Sequence, residues 1–210
     1  MGSTIDQPRN ARSRRTEQAL LDAARALLEE HGFEAMTMAA VADRAGVTRR
    51  SVYLHFASRA ALLEALFEYV KEAEGFAVSV APVWSAPDAV AALNEWAAHI
   101  GRFTPRILPI ARAIEQVRRD DSDAASHRRL VTQGRRGDCR RLISWLADEG
   151  RLASLWTIDD ATDMLLALIS VHLVETLLVD CRWSRRRFVG HFTALLHTTF
   201  VADATGSGMR

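Results

Sequence analysis

Apolar residues recur at three- and four-residue spacing along almost the whole chain, and no sustained period-two alternation appears. The pattern predicts an all-α protein. A first helix is expected over Ser13 to His31, with Leu20, Ala24, Leu27 and Leu28 as its stripe and Gly32 to close it. Thr37 is placed to cap a short second helix that turns Met38, Val41, Ala42 and Ala45 inward before Gly46. Thr48 caps a third that buries Val52 and Phe56, one turn apart. Ser58 caps a fourth, striped by Leu62, Leu63, Leu66 and Phe67 and running to about Gly75. Short helices in close succession, with a Gly-bearing turn between the second and third, outline a homeodomain-like helix-turn-helix unit.

Beyond Gly75 the texture changes. Pro82 and Pro87 bracket a connection, and Ser85 with Asp88 suggests a capping box for a helix through Gly101. Another helix is expected from about Thr104, with Pro105 in its first turn and Pro109 ending or kinking it. Ser122 to Glu149 reads as a long helix interrupted at Gly134 and Gly137. Thr157 with Asp160 opens an apolar helix to about Asp180, and Ser184 opens a last one to about Ala202. The expected organisation is a flexible basic arm (1–12), a helix-turn-helix domain (13–57), a connecting helix (58–75), a larger helical domain (76–204) and a disordered tail (205–210). About nine helices follow from this reading.

Composition narrows the class. With 210 residues, 49% apolar and 25% charged, the chain is long enough for a core without staples. Cys139 and Cys181 are too few for a disulfide framework or a four-cysteine zinc site. The start carries no secretory pattern, and Asp6 stands where myristoylation needs Ser or Thr. The longest apolar run, Met164 to Val179, is interrupted by Ser170, His172, Glu175 and Thr176, and falls short of the roughly 20 apolar residues that span a bilayer. A cytoplasmic protein with no membrane partner is expected.

Charge then singles out one end. The net charge is +1, yet residues 1–60 hold nine Arg against seven acids. Arg9, Arg12, Arg14 and Arg15 stand just ahead of the first apolar stripe with no acid among them, as an arm lying on phosphates would. Only Lys71 is Lys among the 27 basic residues. Most of that bias is compositional, but Arg makes the bidentate contacts to phosphate and guanine that Lys cannot. The third helix presents Thr48, Arg49, Arg50, Ser51, Tyr53 and His55 away from Val52 and Phe56. Those are groove- and phosphate-reading side chains. The helix starts at Thr37 and Ser58 offer amide groups to phosphate, with Arg59 beside the second. Leu54, on the same helix, is read as packing on the first helix, with contact to a thymine methyl as the alternative.

The segment Gly46-Val47-Thr48-Arg49-Arg50-Ser51-Val52-Tyr53-Leu54-His55-Phe56-Ala57-Ser58-Arg59 resembles the DNA-binding signature of the TetR family of bacterial transcriptional regulators. The resemblance extends from about Thr16 to Phe67. It implies a DNA-binding unit, a helical effector-binding domain and a homodimer through the last two helices on a palindromic double-stranded operator. By position it implies phosphate contacts for Thr37, Thr48, Tyr53 and His55, with Arg49, Arg50 and Ser51 nearest the bases. The family often has Gly at Arg50 and Lys at Arg59, so base preference is not carried over while the charge at Arg59 is. A regulator, most simply a repressor released by a small molecule of unknown identity, is the expected function.

In the C-terminal part, the apolar helix Thr157 to Asp180 and the stripe Phe188, Phe192, Leu195, Leu196 and Val201 suit a dimer interface. Trp84, Trp96, Phe103, Trp145, Trp156 and Met164 are candidates to line a ligand cavity, with His99, Gln116, His172 and Glu175 as its polar groups. His172 and Glu175, three apart, read first as a satisfied pair at the interface and second as ligand contacts. No third ligand completes a metal site and no cofactor fingerprint is visible. A redox role for Cys139, beside Arg140 and Arg141, is a minor alternative. The sequence holds no catalytic motif, so a non-enzyme is expected, the alternative being a helical enzyme or adaptor that does not bind DNA.

Overall fold

The structure, a computed structural model, describes residues 7–117 and 119–202, without the side chains of 7–10 and 117. The described residues form α1 (Gln7–His31), α2 (Met38–Arg44), α3 (Arg49–His55), α4 (Arg59–Ala73), α5 (Phe76–Trp84), α6 (Ala89–Val117), α7 (Ser122–Asp148), α8 (Ile158–Leu168), α9 (Val171–Glu175) and α10 (Arg185–Phe200). A π-helical turn, Thr176–Asp180, continues α9. Among these residues the only β pairing is one isolated bridge between Leu152 and Val201, so the fold is all-α as expected. They divide into two compact units. One comprises the chain up to Lys71 together with Pro109–Arg129, the other Glu72–Leu108 and the chain from Leu130 on.

In the first unit, hydroxyl side chains start three helices as their spacing predicts. Thr37 accepts from the amide of Ala40 at 3.1 Å, Thr48 from Ser51 at 3.2 Å and Ser58 from Ala61 at 3.2 Å. Gly32 and Gly46 turn the chain with positive φ (82° and 68°), which only Gly adopts without strain. Leu20, Leu28, Phe33, Met36, Val41, Val52, Leu62 and Leu66 are buried. Each fully buried side chain of this size contributes about 1.5–3 kcal/mol. Arg44 forks onto Glu30 at 2.8 and 2.6 Å, tying α2 to α1 and holding the Glu30 carboxyl below its usual range.

α1 begins at Gln7, ahead of the expected Ser13. Pro8 is tolerated in a first turn, and nothing between it and Ser13 interrupts propagation. The predicted arm is therefore helical from Gln7, while residues 1–6 lie outside the described residues.

Three expectations for the larger unit are corrected. α5 forms where a connection was expected, with Pro82 inside it, and Asp88 caps α6 through the amide of Ala91 at 2.7 Å. Ser85 instead follows α5 and bonds back to the carbonyl of Ala81. α6 runs unbroken through Gly101, Pro105 and Pro109. Gly101 is there for close packing: a Cβ would lie 2.8 Å from Val189 Cγ2 and 3.3 Å from Phe188 Cδ1. α7 is likewise continuous through Gly134 and Gly137, which face open space.

The predicted helix over Thr157 to Asp180 is broken. Thr157 caps α8 as expected, but the chain bends by 43° between α8 and the segment Val171–Asp180. Ser170 accepts from the amide of Leu173 at 3.3 Å and so starts a new helix, and Arg135 donates to the carbonyl of Ile169 freed at the break. No single helix among the described residues is long and apolar enough to cross a membrane. Phe188, Phe192 and Leu196, expected at a partner interface, are buried in this unit's own core with Phe200, and Leu195 alone of that stripe is exposed. The predicted tail, 205–210, lies outside the described residues.

Candidate nucleic-acid interface

α3 owes its orientation to two side chains. Val52 is fully buried and Phe56 nearly so, which fixes the opposite side of this two-turn helix toward solvent. Thr48, Arg49, Arg50, Tyr53 and Leu54 are exposed there, and Ser51 and His55 are half-buried at the margins. Helical geometry places Arg50 and Leu54, one turn apart, farthest from Val52. Among the described residues neither Arg49 nor Arg50 makes a hydrogen bond or ion pair, so both guanidinium forks keep all their donors.

The neighbouring starts add donors. The hydroxyls of Thr37 and Thr48 each accept from an amide and keep their proton to give to a phosphate oxygen, and both residues are exposed. Arg12, Arg14 and Arg15 are exposed along the first turns of α1. Tyr53 is 52% exposed.

Two residues depart from expectation. Leu54 does not pack on α1: it is 77% exposed. Arg59 is not an open phosphate donor. Its guanidinium pairs with Asp121 and, at 3.2 Å, with Asp123, and lies 4.6 Å from the centre of the Phe33 ring. The Asp partners lie far ahead in sequence, at the start of α7, so no local pattern reveals them.

The candidate ligand residues separate. Trp96, His99 and Phe103 lie on successive turns of α6 and are all buried, with His99 and Phe103 stacked at 5.6 Å and Trp96 5.5 Å from His99. Two residues that the sequence reading missed, Phe76 and Ser79, complete the group from α5. Phe76 stands edge-on to His99 and Phe103, and Ser79 bonds His99 Nδ1 at 2.9 Å. Burial pushes His99 down to about 4, with Arg102 adding to the effect, so its ring is neutral at pH 7. Trp84 lies 6.1 Å from Trp96, whereas Trp156 is engaged elsewhere, donating to the carbonyl of Thr199. Trp145 is half-buried on the larger core, and Met164 and Gln116 are exposed. The break at Ser170 puts His172 and Glu175 on a five-residue helix, where His172 is exposed and Glu175 half-buried. Cys139 is fully buried and its thiol is pushed up to about 12 by desolvation, the opposite of a reactive thiolate.

Residues 20–66, spanning α1 to α4, match the family model described as bacterial regulatory proteins, tetR family. This segment carries the N-terminal DNA-binding motif of the TetR family. The A-factor receptor protein of Streptomyces griseus is 29% identical over 80 residues, a stretch covering 38% of this chain and 29% of that receptor. Similar solved structures include NalD of Pseudomonas aeruginosa, the secondary repressor of the MexAB-OprM multidrug efflux pump (TM-score 0.68, 21% identity, 91% of this chain and 98% of that one). SmeT in complex with triclosan is similar to the same degree (TM-score 0.69, 20% identity, 90% and 93%). At these identities the structures speak for the fold: a TetR-like helical chain with an N-terminal helix-turn-helix, the family's DNA-binding element.

Proposed function

We propose that this TetR-family regulator is a repressor that binds an inverted-repeat operator as a homodimer and leaves it when a small molecule binds. The observation that carries the DNA reading is the solvent face of α3, where Arg49, Arg50 and Tyr53 stand opposite buried Val52 and Phe56. The base-proximal residues are Arg49, Arg50 and Ser51. Thr37, Thr48, Tyr53, His55, Arg12, Arg14 and Arg15 position the protein on phosphates. A cytoplasmic location follows from that partner.

Dimerisation is supported by what the last helices leave uncovered. Met164 and Leu195 are 40% and 44% exposed, and Ala167, Gly190 and Ala194 give α8 and α10 small exposed positions for close approach. Paired through one shared patch, two α3 helices would read half-sites about one DNA turn, ~34–36 Å, apart. Repression and effector release are supported by the NalD and SmeT resemblances. An effector that empties the operator prefers the non-binding conformation by roughly 10⁴-fold, about 5.5 kcal/mol.

Selection from a random duplex pool tests the reading. Enrichment of an inverted repeat whose half-sites are one turn apart is expected. A pool that stays random after repeated rounds contradicts it.

A further inference from the structure

Between Asp180 and Asp203 the chain holds no acidic residue, and Arg182, Arg185, Arg186 and Arg187 fall within six positions of that stretch. All four are exposed on the larger unit. Among the described residues none of their guanidinium groups makes a hydrogen bond or an ion pair. Elsewhere in this unit Arg102, Arg136 and Arg140 face carboxylates, and Arg106 and Arg135 donate to carbonyl oxygens. The Arg-rich composition is balanced there and left unbalanced here. Neighbouring like charges repel, so this run favours a state in which an anion sits among them.

A cleft of about 480 Å³ opens on the run, lined by Ser184, Arg186, Arg187, Gly190 and His191 and by no acid. That volume is within the roughly 300–1,000 Å³ of small-molecule sites. Three contacts organise it. Arg187 lies over the Trp183 ring at 4.4 Å, so the indole positions the guanidinium while its edge donors stay open. His191 packs against the same ring, with 5.2 Å between centres. The Ser184 hydroxyl accepts from the amide of Arg187 at 3.2 Å and keeps its proton to give. Gly190 contributes no side chain, and a Cβ there would meet nothing within 4 Å. Of the five, only Gly190 also belongs to the face proposed for pairing.

We infer that this cleft binds an oligophosphate chain, as free triphosphate or as the phosphate tail of a nucleotide. A guanidinium fork takes two oxygens of one phosphate side by side. A tetrahedral phosphate directs its oxygens several ways, so it serves forks from Arg186 and Arg187 and the Ser184 hydroxyl together. A carboxylate offers two oxygens in one plane and serves fewer of them. Ser184 to His191 spans about 10 Å of helix at 1.5 Å per residue. That length holds a few linked phosphates, and is short for the roughly 6–10 phosphates that duplex-binding proteins contact. The Trp183 ring is already engaged by Arg187 and His191, so the cleft reads the chain rather than a stacked base.

Isothermal titration calorimetry of the full chain at about 0.15 M salt tests this, with inorganic triphosphate, ATP and citrate as probes. Triphosphate should bind saturably and about tenfold or more tighter than citrate, and R186Q/R187Q should weaken it by about tenfold or more. R49A/R50A, altered on the α3 face instead, should bind triphosphate as the wild type does. Equal affinity for triphosphate and ATP marks the free chain as sufficient, and tighter ATP marks a nucleotide; both support the site. If R186Q/R187Q does not fold, triphosphate should still shield Arg186 and Arg187 of the wild type from phenylglyoxal, read by mass spectrometry. Absence of saturable binding overturns the inference, as does citrate bound as tightly as triphosphate. Loss of triphosphate binding in R49A/R50A in place of R186Q/R187Q overturns it too. So does a shallower salt slope of operator binding in R186Q/R187Q, which gives the run to DNA.

Discussion

Arg59, the first residue of α4, gives its guanidinium to the carboxylate of Asp121, just ahead of α7. Asp123 and the face of Phe33 complete its surroundings, and side chains of Arg59 and Asp121 are only 23% and 24% exposed. Asp121 is held ionised in spite of its burial by the amide of Ala124, by Arg59 and by the amide of Asp123. The pair ties the end of the helix-turn-helix to the segment Pro109–Arg129 within one unit. R59Q should therefore lower stability by about 1–2 kcal/mol, a value between exposed and buried ion pairs. The salt dependence of DNA binding should keep its slope. A slope shallower by about 0.9, one phosphate contact, would return Arg59 to the interface.

Leu54 shares the outer face of α3 with Arg50, and a side chain 77% exposed there fits the methyl group of a thymine. Removing that methyl by replacing T with U at each operator position should weaken binding roughly fourfold at one position, the worth of about one buried methylene. L54A should cost about the same and abolish the effect of the U substitution. Equal sensitivity of wild type and L54A to every T-to-U change would contradict the contact.

Acid should loosen the fold before carboxylates titrate. Burial pushes His99 and His127 each down to about 4, against roughly 6.5 in an unfolded chain. Between those values the unfolded state binds more protons, so stability rises with pH across about 4 to 6.5 and is lost as pH falls. Each His contributes a slope of at most about 1.4 kcal/mol per pH unit. Urea midpoints measured from pH 7 to 4.5 should fall less steeply for H99Q than for wild type. Parallel curves would place the acid sensitivity elsewhere.

Leu195 and Met164 offer a direct handle on the proposed dimer, because each is a large apolar side chain left exposed on α10 or α8. L195R should shift sedimentation from dimer to monomer and weaken operator binding at least tenfold while leaving helicity intact. A dimer that persists in both L195R and M164R would move the interface away from α8 and α10.

What the sequence revealed and what it hid divide along the reach of the interactions. The caps at Thr37, Thr48, Ser58, Thr157 and Ser184 are legible because each hydroxyl meets an amide three residues on. The solvent face of α3 is legible because Val52 and Phe56 alone decide it. The misread elements depend on distant partners. Pro105 reads as part of a helix start and Pro109 as a breaker, yet the apolar face of α6, with Phe103, Leu108 and Ile110 buried, outweighs the lost hydrogen bonds. The break at Ser170 is stabilised by Arg135, on another helix. Phe76 and Ser79 are not legible because Pro82, read locally, marks a connection, which hides half of the aromatic group.

The proposed regulator reads DNA through Arg49 and Arg50 of α3. Fluorescence anisotropy of a labelled operator, titrated with wild type and with R49A/R50A over a range of salt, tests it most directly. Wild-type affinity should fall linearly on a log–log plot by about 0.9 per phosphate contact. The double variant, folded by circular dichroism, should bind operator and scrambled duplex equally weakly. A folded double variant that retains wild-type preference for the operator would contradict the assignment of α3 as the reading helix.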